Sequence, residues 1–347
     1  MQPILALSFL LPLLAQASPV NTHKVCTEHT LSVDVTTNNL KWNFPALKTE
    51  DDIAALNTYM GRRDAKSLPP LLLPSEEPLT NATYTISGTL CKPAKGASDT
   101  LLIATHGGGY NRAHWHPAIK PEQYSFVDFA LNKGYSIFYY DRVSTGKSQV
   151  VPGIFASVYN QAHILAGIIK QVKGAINPEL TDAAVLTGVS YYGLDSAATM
   201  QSKQSRIANL VNPKKWGHLD SFYTSWVDKW SNAEAFFKFP YYEPDVLQYA
   251  EDTKEPASFV ETLSVRNSNF SSPGFTGPVL VLDGQCDFVA CGGLCPGAFE
   301  NGTEKIFPNA KKVVTYSHPN SGHSFNLAPN ATAAFEVITD FLQDNGF

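Results

Sequence analysis

The chain has 347 residues, of which 44% are hydrophobic, 12% aromatic and 16% charged, and a net charge of −5. That is enough apolar material for a sizeable core, as one large domain or two modest ones, and too little charge for a solvated disordered chain. The acidic balance without a basic run argues against a nucleic-acid partner, and 23 Gly, 23 Pro and 5 Cys exclude collagen, a coiled coil and a disulfide-dense miniprotein.

Residues 1–17 hold a short apolar run from Ile4 to Leu14, then Ala15-Gln16-Ala17, with small residues at −3 and −1 of a signal-peptidase site. Pro3 and Pro12 suit a buried helix poorly. The expectation is a signal peptide over 1–17, a mature chain from Ser18 and a secreted, extracellular protein. No later apolar run approaches the ~20 residues needed to cross a bilayer, so no transmembrane span is expected. Sequons at Asn81, Asn269, Asn301 and Asn330 fit this address as glycosylation sites. Outside the cell the five cysteines read as two disulfides and one leftover thiol. The pairing expected is Cys26–Cys91 plus one bridge within the trio Cys286, Cys291 and Cys295. Zinc at the trio is the weaker rival, because no fourth ligand lies near in sequence.

Residues 29–37 and 84–92 read as strands rich in β-branched side chains, joined by a Pro-rich connector that includes Leu68-Pro69-Pro70. Residues 100–105 form an apolar run ending at His106-Gly107-Gly108-Gly109. Phe126, Phe129 and Ala130 then fall at helical spacing, with Gly134 as the stop, and 135–140 is the next strand, ending at Asp141. Val158, Ala162, Leu165, Ile169 and Val172 mark one face of a helix that stops near Asn177-Pro178. Residues 183–189, 278–283 and 312–317 are further apolar strands, and a helix from about Thr332 to Asp344 closes the chain. Apolar runs alternating with helices predict an α/β fold, a mostly parallel central sheet with helices on both faces. The aromatic-rich segment of about 206–275 breaks this rhythm and reads as a helical cap inserted into a single domain over 18–347.

Ligands of open α/β sheets bind beyond the carboxyl ends of the strands. Four candidate groups fall there: Gly107 to Gly109, Ser190 within Gly188-Val189-Ser190-Tyr191-Tyr192-Gly193, Asp287, and His323 within Ser321-Gly322-His323-Ser324-Phe325. A serine hydroxyl is a poor nucleophile at neutral pH and needs a base beside it, and the base needs an orienting carboxylate. Glycine lets a bare backbone approach a ligand closely. His318 and Asp283 are the rivals of His323 and Asp287, nearer the strands themselves. A His-x-His-x-Asp metal signature at His114 and His116 would need aspartate where Ala118 stands, and a dinucleotide Gly-x-Gly-x-x-Gly would need glycine at Asn111. No metal and no cofactor are therefore expected.

The order Ser…Asp…His resembles that of the α/β-hydrolases. His106 to Gly109 is similar to that superfamily's oxyanion loop, and Asp141 to Ser148 resembles its Asp-x-Arg-Gly-x-Gly-x-Ser turn with Val143-Ser144 altered. The stretch Phe237 to Thr253 resembles the cap of a fungal secreted or biosynthetic-cluster branch. The resemblance covers most of 84–344 and implies an α/β-hydrolase fold. It also implies acyl-enzyme chemistry, with Ser190 as nucleophile, His323 as general base then acid, Asp287 as orienter, and the N–H groups of Gly108 and Tyr191 as oxyanion hole. The chain departs from Gly-x-Ser-x-Gly at Tyr192, with Gly193 one residue late. The activity implied is that of an esterase- or lipase-like serine hydrolase on a lipophilic or aromatic small molecule with an ester, lactone or related acyl bond. Two rivals share the scaffold: a non-hydrolytic acyl transferase or cyclase of fungal secondary metabolism, and a catalytically silent secreted binding protein, to which Tyr192 points. A serine rather than an aspartate at 190 argues against an epoxide hydrolase or dehalogenase.

Overall fold

The computed structural model describes residues 24–75, 80–173, 181–189, 201–266, 268, 270–298 and 300–347. Strands β1 (Lys24–Thr37), β2 (Leu40–Trp42), β3 (Leu72–Pro74), β4 (Thr80–Pro93), β5 (Leu101–Thr105) and β6 (Ser136–Tyr140) precede β7 (Ala184–Thr187). Short strands β8 (Arg206–Ile207), β9 (Tyr223–Ser225) and β10 (Ala257–Ser258) follow, then β11 (Pro278–Gly284) and β12 (Lys312–His318).

These strands make a four-stranded sheet in the order β1-β4-β6-β5 and a three-stranded sheet in the order β12-β11-β7. The three-stranded sheet is parallel throughout, and β5 runs parallel to β6. The pairs β1–β4 and β4–β6 are antiparallel, so the expected mostly parallel sheet is only partly parallel. The reason lies in β1, an edge strand of 14 residues that is exposed along most of its length. It buries Val33 and Val35 on one face, the alternation of a half-solvated antiparallel strand rather than of a strand covered on both sides. Cys26 sits opposite Cys91 in this ladder and is bonded to it. No ladder joins β5 to β7 among the described residues, but Leu102 and Ala104 of β5 share a core cluster with Val185, Leu280 and Leu282 of the other sheet.

All seven residues of β11 are buried, as its unbroken apolar run requires of a strand covered on both faces. Truncating Leu280 in such a place costs about 2–5 kcal/mol. The helix Phe126–Asn132 begins at Ser125, whose hydroxyl accepts from the Asp128 amide, and it is followed by Gly134 at φ 92°. The closing helix Ala331–Asp344 turns Phe335, Ile338, Phe341 and Leu342 to the core.

The helix Val158–Lys173 buries Ile169 as expected, and Leu165 and Val172 pack against the core, but its inward face also carries Asn160, Ile164 and Ile168, and Ala162 is exposed. Two features turn it. A Cβ at Gly167 would lie 2.4 Å from Val33 Cγ1, so this bare position is where the helix meets β1. Asn160 Nδ2–H donates inside to Tyr84 Oη at 2.9 Å and to the Phe155 carbonyl at 2.7 Å. A buried asparagine breaks the apolar stripe and hides it from a periodicity reading.

Segment 206–275 contains the helices Lys229–Phe236, Pro244–Asp252 and Phe259–Arg266, but also the antiparallel sheet β10-β9-β8, so it is not purely helical. It has no separate core. Trp226, Phe236, Phe237, Val246 and Leu247 pack in the same cluster as Tyr139 and Leu282, and Ile207 and Phe259 pack with Leu56 and Leu72. No described helix is long and apolar enough to cross a membrane.

Candidate active site

The parallel strands β11 and β12 end side by side, Gly284 opposite His318, and their following loops are tied together. Gln285 N–H donates to the His318 carbonyl at 2.7 Å and Cys286 N–H to the Ser321 carbonyl at 2.9 Å. Gly284 allows this, because a Cβ there would lie 2.1 Å from the Gly322 carbonyl oxygen. The strapped loops bring Asp287 and His323 together, with Nδ1–H of His323 donating to Asp287 Oδ2 at 2.7 Å. Asp287 is fully buried and the His323 side chain is 20% exposed.

Asp287 is also the N-cap of the short helix Phe288–Cys291, its Oδ1 accepting from the Ala290 amide at 2.7 Å. Burial pushes this carboxyl up, but the His323 ring and the Ala290 amide outweigh it and hold the pKa below the usual value. Directly after it, Cys291 and Cys295 are bonded, which closes the turn on the Asp287 carbonyl, while Cys286 stays free. Asp283, Cys291 and Cys295 lie within 4.8 Å of one another, but two bonded sulfurs are not thiolate ligands for a metal.

The rivals have other places. Asp283 is fully buried within β11, and neither of its carboxyl oxygens has a hydrogen-bond partner. Burial, with Asp287 beside it, pushes its pKa well above the ordinary value. His318 ends β12, buried between the rings of Tyr316 and Phe325.

On the other side, the His323 ring covers Gly188, at φ 64°, just beyond β7. A Cβ built there would lie 3.0 Å from His323 Cε1. Gly188 N–H donates to the Leu282 carbonyl at 3.2 Å, which continues the β7–β11 ladder to this point. Ser190, Tyr191 and Tyr192 lie outside the described residues, as does the Asn177-Pro178 helix stop.

The loop after β5 is built around His106, which is buried with both ring nitrogens engaged. Nδ1–H donates to the Gly107 carbonyl at 2.8 Å, and Nε2 accepts from the Arg142 amide at 3.1 Å. Burial pushes its pKa well below the usual imidazole value, so it is neutral. Gly107 and Gly108 are exposed, and the N–H groups of Gly107, Gly108 and Gly109 have no acceptor among the described residues. Gly109, at φ 90°, lies under the Trp226 ring, where a Cβ would come within 2.5 Å of it.

The Asp141–Ser148 turn braces this loop. Asp141 is buried and accepts from the Arg112 amide at 3.0 Å and the Lys147 amide at 2.9 Å. Gly146 is required there, since a Cβ would fall 2.2 Å from Asp141 Oδ2. Arg142 forms an ion pair with Glu261.

Aromatic rings wall the site. Phe236 lies 5.4 Å from the His323 ring, 4.9 Å from Trp226 and 5.7 Å from Tyr110. Tyr110 Oη and Ser324 Oγ are 2.6 Å apart, and Ser324 N–H donates to the Phe236 carbonyl at 2.8 Å. Other rings of the segment face solvent, Trp230 at 65% and Phe239 at 75% exposure. Two neighbours of the site carried no signal in the sequence, and a third, His114, stood out there only in the metal signature that Ala118 breaks. His114, half-buried against Tyr110, is pushed down to about 3 by burial and by His323. The Tyr110–Ser324 pair and Lys203, whose Nζ sits 5.3 Å over the Phe236 ring, belong to no spacing pattern.

No family model and no curated protein matches the chain. Solved structures do. A thermophilic esterase from Thermogutta terrifontis aligns with a TM-score of 0.52 at 14% identity, over 76% of this chain and 95% of its own. A bromoperoxidase from Bacillus anthracis aligns with a TM-score of 0.50 at 17% identity, over 76% of this chain and 96% of its own. The chain has the α/β-hydrolase fold. In that fold the loops described here, after β5, β7, β11 and β12, all leave the carboxyl ends of parallel strands, the edge at which open α/β sheets bind ligands.

Among the sequon residues, Asn81 is exposed on β4, Asn330 is half-buried with Nδ2–H donating to the Pro319 carbonyl at 3.0 Å, and Asn301 falls in the helix Glu300–Ile306. Asn269 and residues 1–23 lie outside the described residues.

Proposed function

We propose that the chain is a serine hydrolase that cleaves an ester, lactone or related acyl bond through an acyl-enzyme. The observation that carries this reading is the His323–Asp287 hydrogen bond of 2.7 Å, with the imidazole seated over Gly188, two residues before Ser190. Ser190 is the nucleophile. His323 Nε2, which has no partner among the described residues, takes its proton and later returns it to the leaving alkoxide. Buried Asp287 fixes the ring orientation and stabilises the imidazolium. The free N–H of Gly108, with that of Tyr191, binds the oxyanion, a donor commonly worth about 3 kcal/mol of barrier. The aromatic wall of Tyr110, Trp226 and Phe236 favours a lipophilic or aromatic acyl compound, with segment 206–275 as the cap over the site. The apolar leader, the sequons and the two disulfides support a secreted glycoprotein of the fungal branch that the cap stretch resembles.

The test is to treat the mature protein with a fluorophosphonate and map the adduct by peptide mass spectrometry. Labelling of Ser190 that is lost in His323→Ala is expected. Folded protein that takes no label would overturn the reading and leave the silent binding protein.

A further inference from the structure

One cation of the site is used by nothing in this mechanism. Lys203 holds its ammonium over Phe236, the ring that also contacts His323. Among the described residues its Nζ has no hydrogen-bond or ion-pair partner. The two carboxylates that act on it at a distance are already engaged, Glu261 with Arg142 and Asp287 with His323.

Lys203 lines one cleft with Gly108, Gly109, Ser225, Trp226 and Ala257, so it borders the exposed face of the glycine loop. Ser225 in that cleft is buried, and its hydroxyl also has no partner. A buried hydroxyl left unpaired costs stability, and so does an ammonium withdrawn from water without an acceptor. Two unmatched groups in one cleft beside a reacting centre mark a place for a ligand's acceptor atoms. Glu255 also lines the cleft, but its carboxyl is turned to Asn111 at 3.2 Å and does not meet the lysine.

We propose that Lys203 and Ser225 form a carboxylate-binding subsite beside the Gly108–Gly109 loop, so that the favoured acyl substrate carries a second, non-reacting carboxylate. This rests on the hydrolase reading and narrows it to half-esters and lactones of acids bearing such a group. One ammonium and one hydroxyl match a planar monoanion with two oxygens. A phosphate dianion calls for more donors than the cleft presents. The aromatic wall takes the apolar part of the same molecule.

The test compares kcat/KM for the 4-methylumbelliferyl half-ester of adipic acid with that for the hexanoate ester, in which a methyl replaces the carboxylate. Wild type is expected to favour the half-ester by about tenfold or more, the scale of one charge-assisted hydrogen bond. Lys203→Met is expected to bring that ratio to about one, Lys203→Arg to retain part of it, and Ser225→Ala to lower it by about threefold. A wild-type ratio at or below one overturns the subsite and leaves the hydrolase standing. Equal losses on both esters in Lys203→Met also overturn it, because the lysine would then serve the oxyanion of every substrate. If neither ester is cleaved, the hydrolase reading fails, and calorimetric titration with adipate decides the subsite independently. Binding that Lys203→Met abolishes, in protein whose circular dichroism matches wild type, sustains it, and no binding by wild type overturns it.

Discussion

The loop after β5 and the loop after β12 each present a histidine at the same edge of the molecule, and the two residues are set to opposite uses. His106 is buried, both its nitrogens are taken, by Gly107 and Arg142, and it holds the backbone of the glycine loop in place. His323 is partly exposed, has one nitrogen fixed by Asp287, and leaves the other toward the end of β7. Residue type is the same in both. What separates a brace from the proton carrier proposed here is how many ring nitrogens the fold consumes and whether the remaining one meets solvent.

The largest effect that separates the two loops is on rate. His323→Ala is expected to lower kcat/KM on an aryl ester by roughly 10⁵-fold or more, the cost of losing the base of such a triad. A loss under a hundredfold would break the assignment. Asp287→Asn should follow at roughly 10⁴-fold. Asparagine still caps the helix Phe288–Cys291, so the melting temperature should move little while the rate collapses. His106→Asn should do the reverse. It leaves the Arg142 amide without its acceptor, at a cost of about 1–3 kcal/mol seen in denaturant unfolding, while the folded protein still takes a fluorophosphonate label.

The smallest effects are on the pH dependence of stability, and two groups act in opposite directions. His114 is pushed down to about 3 in the fold, while an unfolded histidine titrates near 6.5. Below about 6.5 the unfolded chain binds a proton that the fold refuses, so stability falls as pH drops from there toward 3. His114→Gln should flatten that limb in urea unfolding at stepped pH. Asp283 is raised, so the fold keeps a proton that the unfolded chain releases above about 4, and stability from this site is lost as pH rises through that window. Asp283→Asn should remove that loss and stabilise the protein at neutral pH. A destabilised variant would show that the carboxyl is ionised and paired.

Much of the layout was legible in the sequence because it depends on local pattern. The strands after 278 and 312 stand where the apolar runs put them, at Pro278–Gly284 and Lys312–His318. The helix stop at Gly134 was legible as well. Asp287 and His323 were preferred to Asp283 and His318 because Asp283 lies nearer the strand interior and because the Gly322-His323-Ser324 context and the place of Asp287 resemble the α/β-hydrolase pattern; the structure brings these two side chains within 2.7 Å. The antiparallel β1–β4 pair was hidden, because direction depends on how strands meet rather than on their composition. Part of the inward face of Val158–Lys173, at Asn160, Ile164 and Ile168, was hidden by a buried asparagine and a bare glycine. The sheet β10-β9-β8 was hidden because strands of two or three residues carry no period.

By itself the sequence determined which segments are apolar enough to be buried strands, where glycine frees the backbone, and which chemistry-bearing residues follow each strand. Those properties belong to single residues and their near neighbours. Only the tertiary structure decided that Asp287 lies 2.7 Å from His323 and that His106 is spent on Gly107 and Arg142. Only it decided that Lys203, 120 residues before His323 in the chain, shares the Phe236 ring with it. These are distances between parts of the chain far apart in sequence, set by strand order and by loops strapped across β11 and β12, and no local pattern encodes them.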